Sequence, residues 1–273
     1  MPKEIKAPAY SAEHRAYLNA LRRKDHFVTA MQYLLLIACL LLWEVAARLG
    51  WIDPFIGSSP SRLGAAIVRL YQAGDLWMHI GVTLYETVVG FLLGTILGTL
   101  IAILLWWSAT LNRILDPYLV ILNALPKIAL GPILIVWFGA GVKSIIVMGL
   151  LISLVVTIMS VLAGFNAITG EKQLLMRTLG ASKFQILSMV VLPASIPTIM
   201  NALKISVGMS WVGVIVGEYL VSKAGLGYLI VYGGQVFNLD LVMASIVILC
   251  VLAALMYYAV AYLEKRINQR VGG

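Results

Sequence analysis

The sequence predicts an all-α membrane protein with six transmembrane helices. Three observations predict it. Of the 273 residues, 61% are hydrophobic and only 12% are charged, whereas soluble domains carry about 25% charged residues. Six runs reach the roughly 20 mostly apolar residues that a helix needs to cross a hydrocarbon core. None of these runs alternates as a strand does, and backbone polar groups in lipid must be satisfied internally, which leaves helices.

The chain opens on a basic stretch. HRAYLNALRRKDHF puts Tyr17, Leu18 and Leu21 on one face with Arg22, Arg23 and Lys24 nearby, a pattern that suits a helix lying in the inner interface. The first thirty residues are too polar for a signal peptide, and no small-residue cleavage site comes after the first apolar run, so no cleaved leader is expected. The first span is expected over 29–47. In SPSRLGAAIVRLYQAG, Ser61 is placed to cap a short outer helix. Leu63, Ile67, Leu70 and Tyr71 form its stripe and Gly74 its stop.

The second span, 79–107, carries Gly90, Gly94 and Gly98 at every fourth position. Such a face lets another helix approach closely, either within this chain or in a dimer. The third span, 117–138, contains Lys127, with Asn123 one turn earlier. Lys127 lies about 15 Å along the helix from Pro117, near the middle of a core about 30 Å thick. A lysine there costs roughly 2.5–3.5 kcal/mol on insertion scales, so lipid exposure is not expected. It either faces a polar pathway through the bundle, bonds to carbonyls loosened by Pro126 and Pro132, or pairs with a Glu from another span. The remaining spans are 142–165, 197–220 and 240–263.

A net charge of +8 would suggest nucleic acid in a soluble protein. Here the basic residues lie between the apolar runs, so no nucleic-acid partner is expected and the charges set orientation. With the N-terminus inside, the cytoplasmic pieces hold thirteen Lys and Arg: Lys3, Lys6, Arg15, Arg22, Arg23, Lys24, Arg113, Lys172, Arg177, Lys183, Lys265, Arg266 and Arg270. The opposite side holds five, Arg48, Arg62, Arg69, Lys143 and Lys223. That asymmetry predicts both termini in the cytoplasm. The organisation expected is a cytoplasmic amphipathic segment over 1–28, a transmembrane domain over 29–265 with a cytoplasmic loop at 166–196, and a cytoplasmic tail over 266–273.

That loop is the most informative stretch. GEKQLLMRTLGASKFQILSMVVLP interrupts two apolar runs with Glu171, Lys172, Arg177 and Lys183. Leu174, Leu175, Leu179, Ile186 and Met189 allow one or two short amphipathic helices. Gly180 breaks the run and Ser182 can cap the second helix. Pro193 and Pro197 are expected to end the local helices and start the fifth span. A structured elbow of this kind suggests a docking surface.

The stretch resembles the coupling loop of permease subunits in ATP-binding-cassette importers. That motif begins Glu-Ala-Ala, continues to a Gly after three intervening residues, and ends apolar-x-Leu-Pro after nine more. Gly180, Ala181, Ser182, Val190, Leu192 and Pro193 match, while Leu174, Leu175 and Met176 stand at the Glu-Ala-Ala positions. SPSRLGAAIVRLYQAGDLWMHIGVTLYETVVGFLLGTILG, LDPYLVILNALPKIALGPILIVWFGAG and WVGVIVGEYLVSKAGLGYLI are similar to the branch that imports nitrate, sulfonates, taurine, bicarbonate and some vitamin precursors. The likeness covers roughly residues 55–265. It implies a type I importer fold and a permease subunit that works as a homodimer with two ATPase subunits and an extracytoplasmic solute-binding protein, in the bacterial cytoplasmic (inner) membrane. ATP and Mg would sit on the partner ATPase. The coupling residues implied are Glu171, Arg177, Gly180, Ala181, Ser182, Lys183 and Pro193.

The residues agree with that division of labour. The nearest approach to a phosphate loop is Gly164 to Gly170, one residue too widely spaced and continuing into Glu171. His14, His26 and His79 are scattered, and no nucleophile–base grouping is seen. Cys39 and Cys250 lie inside apolar runs as small buried hydrophobes, with neither disulfide nor metal-ligand spacing. An enzyme and a cofactor bound by this chain are therefore not expected. The alternative class is a self-powered secondary transporter or channel, which inverted repeats and ion ligands would support. Glu44, Glu86, Lys204 and Glu218 lie in or near spans, either as interfacial or helix–helix contacts or as gates. Asn123, Lys127 and Glu218 are the candidates for a translocation pathway.

Overall fold

The described residues, 12–168 and 170–271 of a computed structural model, form twelve α-helices. Lys3 and Lys6, counted above toward orientation, lie outside them. Among the described residues, five helices are long and apolar enough to cross a membrane, six if one bent pair counts as a single span.

The chain divides into two compact units, Met1–Leu63 and Gly64–Gly273. In the first, α1 runs unbroken over Ala12–Arg48. The basic stretch and the first span are thus one helix, with no break near residue 28, because nothing between Asp25 and Thr29 is a helix breaker. A short α2, Pro54–Gly57, is capped by the Asp53 carboxylate on the Phe55 N–H. The Trp43 indole donates to the Gly57 carbonyl at 3.3 Å. Glu44 pairs with Arg48 at 2.7 Å and accepts from the N–H and hydroxyl of Ser61. Ser61 is therefore not the cap of the next helix, α3, Pro60–Gln72. Pro60 takes the first helical position, which its fixed φ favours. Ser59 precedes it and accepts from the Arg62 N–H. On α3, Leu63 and Ala66 are buried and Tyr71 is exposed, and the chain turns at Gly74 with φ +82°.

In the second unit, α4 (Leu76–Trp107), α7 (Val142–Asn166) and α10 (Leu192–Val221) form the centre, with α7 packed between the other two. Lipid tails are as apolar as leucine, so association rests on close packing and interhelical hydrogen bonds. Small residues supply both. The glycine face of α4 meets α7: a Cβ on Gly90, Gly94 or Gly98 would touch Ile146, Ser153 or Thr157. Of the two uses open for that face, packing within the chain is the one observed. On the other side, a Cβ on Gly213 of α10 would lie 2.6 Å from the Gly149 Cα of α7. Thr157 and Ser206 join α7 to α10 through their hydroxyls at 2.6 Å.

The third crossing differs from expectation. It is two helices, α5 (Ala109–Ala124) and α6 (Gly131–Phe138), bent by 88°. Pro117 sits inside α5 rather than at its start. The break falls at Leu125–Pro126, and Lys127–Leu130 forms a single 3₁₀ turn. Leu125, before Pro126, adopts the extended geometry that residues before proline favour, with ψ 132°, whereas Asp116, before Pro117, stays helical. The mid-span depth inferred for Lys127 assumed one straight helix and does not hold.

A second correction concerns Pro193 and Pro197. After α8 (Gly170–Thr178) and α9 (Lys183–Ile186), a π-turn at Leu187–Val191 leads straight into α10. Pro193 occupies the first turn of α10, as expected, whereas Pro197 lies inside it, and neither leaves a gap between the π-turn and α10. Leu192 N–H bonds five residues back to Leu187, and this widened turn relieves the clash that a proline ring makes with the preceding turn. The last helices are α11 (Leu226–Gln235) and α12 (Leu239–Val271), so residues 266–271 continue a helix rather than form a separate tail. Lys204 of α10 pairs with Glu264 of α12 at 2.8 Å. Cys39 and Cys250 are free and exposed on helix surfaces rather than buried.

Candidate functional site

The elbow is built by local sequence. α8 ends in paired backbone bonds from Gly180 N–H to Arg177 and from Ala181 N–H to Met176. This is the Schellman closure, which needs a left-handed residue, and Gly180 has φ +79°. Ser182 then caps α9 reciprocally: its hydroxyl accepts from the Gln185 N–H, and the Gln185 side chain accepts from the Ser182 N–H at 2.7 Å. The base of the elbow is rooted, since Ile186, Leu187 and Val191 are buried in a core with Leu105, Leu119, Leu162 and Phe165. Met176 and Ala181 pack against the same core.

The tip is different. Leu174, Leu175, Leu179 and Phe184 are all more than 60% exposed, which leaves an apolar row on a short polar helix pair. Glu171 and Arg177 are exposed on α8. Lys183 reaches back to α4, donating to the Trp107 carbonyl and lying 5.8 and 5.7 Å from the Trp106 and Trp107 rings. It satisfies a carbonyl at the end of a helix, where donors are otherwise lacking. The structure thus gathers Glu171, Arg177, Gly180, Ala181, Ser182 and Lys183 into one elbow. Pro193 lies beyond the π-turn, at the start of α10.

Asn123 and Lys127 are brought together at the bend, where the Lys127 ammonium donates to the Asn123 carbonyl at 3.2 Å. This is a contact that the carbonyl-bonding alternative requires. Glu218 is apart from both. It is 1% exposed, and its Oε2 accepts from the Gly227 N–H at 2.5 Å.

Around Glu218 lies a cluster that the sequence did not announce. The first turn of α11 presents three N–H groups, and each has a side-chain acceptor. Gly225 donates to His79 Nδ1 at 2.9 Å, Leu226 to Thr83 Oγ1 at 2.8 Å, and Gly227 to Glu218. Helix N-termini carry orphan donors and partial positive charge, so these acceptors are placed where they are needed. Glu86, one turn past Thr83, is fully buried with its carboxyl group beside that of Glu218. His79 and Thr83 pair with residues 146 and 143 positions away; no local pattern could have revealed them.

A bundle of lipid-length helices packed on small residues, carrying a structured elbow with an apolar tip, defines a multi-pass membrane protein. The family described as "Binding-protein-dependent transport system inner membrane component" matches residues 55–269. The chain belongs to that family and is a permease component of an importer of the ATP-binding-cassette type. It is 33% identical over 240 residues to a probable ABC transporter permease of Haemophilus influenzae, covering 88% of this chain and 97% of that one. It is also 33% identical over 241 residues to the putative aliphatic sulfonates transport permease SsuC of Bacillus subtilis, covering 87% and 86%. Its fold is similar to that of the MetNI methionine ABC transporter in an inward facing conformation, with a TM-score of 0.62 at 22% identity over 69% of this chain and 94% of that one.

Proposed function

We propose that this chain forms half of the translocation pathway of an ATP-driven importer in a bacterial cytoplasmic membrane, with both termini and the elbow in the cytoplasm. It acts as a homodimer with two ATPase subunits, which hold ATP and Mg, and receives its solute from an extracytoplasmic binding protein. The observation that carries the reading is the elbow, whose root is buried and whose tip exposes Leu174, Leu175, Leu179 and Phe184. Such a row on a rigid base suits a groove in a partner, and the lysine and arginine asymmetry supports its cytoplasmic placement. Copurification with an ATPase, and uptake into liposomes that requires ATP and that ATPase, is the expected result. ATP-independent uptake by the purified chain alone would overturn the reading.

The solute is a small anion. The sulfonate named for the Bacillus relative supports this, as does a lysine at a broken span. Asn123 and Lys127 face the pathway, and Glu218 holds the α10–α11 turn behind it. In an assembled complex, Lys127→Met should keep assembly and ATPase activity while reducing transport of sulfonates at least severalfold. Unchanged transport would remove Lys127 from the pathway, and failure to assemble would make it a cap for the Asn123 carbonyl.

A further inference from the structure

A cavity of about 370 Å³ lies between the α4–α5 turn, the end of α7 and the inner face of α8. Its volume falls within the range of small-ligand sites, about 300–1,000 Å³. Arg177 and Lys183 supply two cations to its wall, and Asn112, Asn166 and Gln173 supply three amides. No carboxylate is among the lining residues. Lys183 spends one of its donors on the Trp107 carbonyl, and an ammonium has three. The Arg177 guanidinium has no hydrogen-bond or ion-pair partner among the described residues, so its planar fork of five donors is free. The Asn112 Oδ1 is buried without a partner, an acceptor that a ligand hydroxyl would satisfy. Two cations, amide donors and one orphaned acceptor together suit a phosphate that also carries a hydroxyl.

We propose that this cavity binds such a phosphate group, and that its source is the headgroup of an anionic phospholipid. Trp106 sits in its wall at the end of a long apolar helix, where interfacial aromatics mark headgroup depth. Basic pockets between helices at that depth take anionic headgroups. Because Arg177 projects from α8 and Lys183 begins α9, a bound headgroup ties the elbow to the α4–α5 turn. The lipid thereby becomes a stabiliser of the docking surface.

The test is thermal unfolding of the full-length chain in nanodiscs of three kinds: phosphatidylcholine alone, phosphatidylcholine with phosphatidylglycerol, and phosphatidylcholine with millimolar inorganic phosphate. Phosphatidylglycerol should raise the Tm of the wild type by several degrees. Arg177→Gln, which breaks no bond in the structure, should lose about half of that rise or more. Lys172→Gln, on the same helix but outside the cavity, should keep it. A rise produced equally by inorganic phosphate and lost in Arg177→Gln would keep the site but make free phosphate its occupant. No rise in any arm, or equal losses in Arg177→Gln and Lys172→Gln, would overturn the proposal.

Discussion

The two ends of α4 are held in opposite ways. His79 and Trp107 are 28 residues apart, about 42 Å along a helix. At the first end, side chains of α4 and α10 accept all three N–H groups of the opening turn of α11, and His79, Thr83 and Glu218 are each no more than 5% exposed. At the other end a single exposed lysine reaches the Trp107 carbonyl from an elbow whose tip is in the open. At the first end the backbone donors are paired within the bundle, and the second presents exposed apolar surface. That difference suits the proposed division between a closed part of the bundle and a docking surface. Substitutions should therefore cost stability at the centre and the α11 end, and cost association at the elbow.

The largest effect is expected at the α7–α10 crossing that supports both ends. A Cβ at Gly213 would meet the Gly149 backbone at 2.6 Å, whereas a Cβ at Gly208, on the same helix, would meet nothing within 4 Å. Overpacking costs about 1–3 kcal/mol when side chains can yield, and here the obstacle is backbone. Gly213→Leu should abolish monodisperse, folded protein in detergent, and Gly208→Leu should not. If both variants unfold alike, close approach is not what holds the bundle together.

Thr83→Val is the next step down. It preserves shape but leaves the buried Leu226 N–H without an acceptor, at a cost of about 1–3 kcal/mol. Chemical denaturation or thermal unfolding should register that loss. Leu175→Ser, at the exposed tip, should leave unfolding within error of wild type while weakening ATPase association. A tip variant as destabilising as Thr83→Val would erase the contrast between the two ends.

The same contrast explains what the sequence could tell. The elbow was legible because it is written in consecutive residues: a glycine where α8 must close, a serine three before a glutamine, and apolar positions at helical spacing. The spans were legible because hydrophobicity over about 20 residues is a local sum. The α11 latch joins residues more than 140 positions apart, so His79 looked merely scattered and Thr83 looked like any polar residue in a span. Glu218 was singled out because a carboxylate in an apolar run is conspicuous, but its partner, a backbone N–H nine residues later, was not. Boundary errors came where one breaker outcompeted another. Pro60 moved the cap from Ser61 to Ser59, a π-turn absorbed Pro193, and Pro126 broke a span that Pro117 did not.

The smallest effect on the spans, yet the sharpest on association, is expected at Gly180. Its φ of +79° lies in the left-handed region, and a Cβ there would meet nothing within 4 Å. The cost of a substitution is thus purely conformational, about 1–2 kcal/mol for an ordinary residue and more for a β-branched one. That energy is drawn from the Schellman closure between α8 and α9, not from the core beneath it. Gly180→Val should leave thermal unfolding of the spans unchanged and reduce ATPase association by at least about five- to thirtyfold, the factor that corresponds to 1–2 kcal/mol. Gly180→Asn, which tolerates the left-handed region, should restore most of that loss. The asparagine variant separates turn geometry from side-chain chemistry, since it keeps the turn while adding a polar group. Wild-type association by Gly180→Val would mean that the partner reads the exposed leucines without needing the turn that presents them.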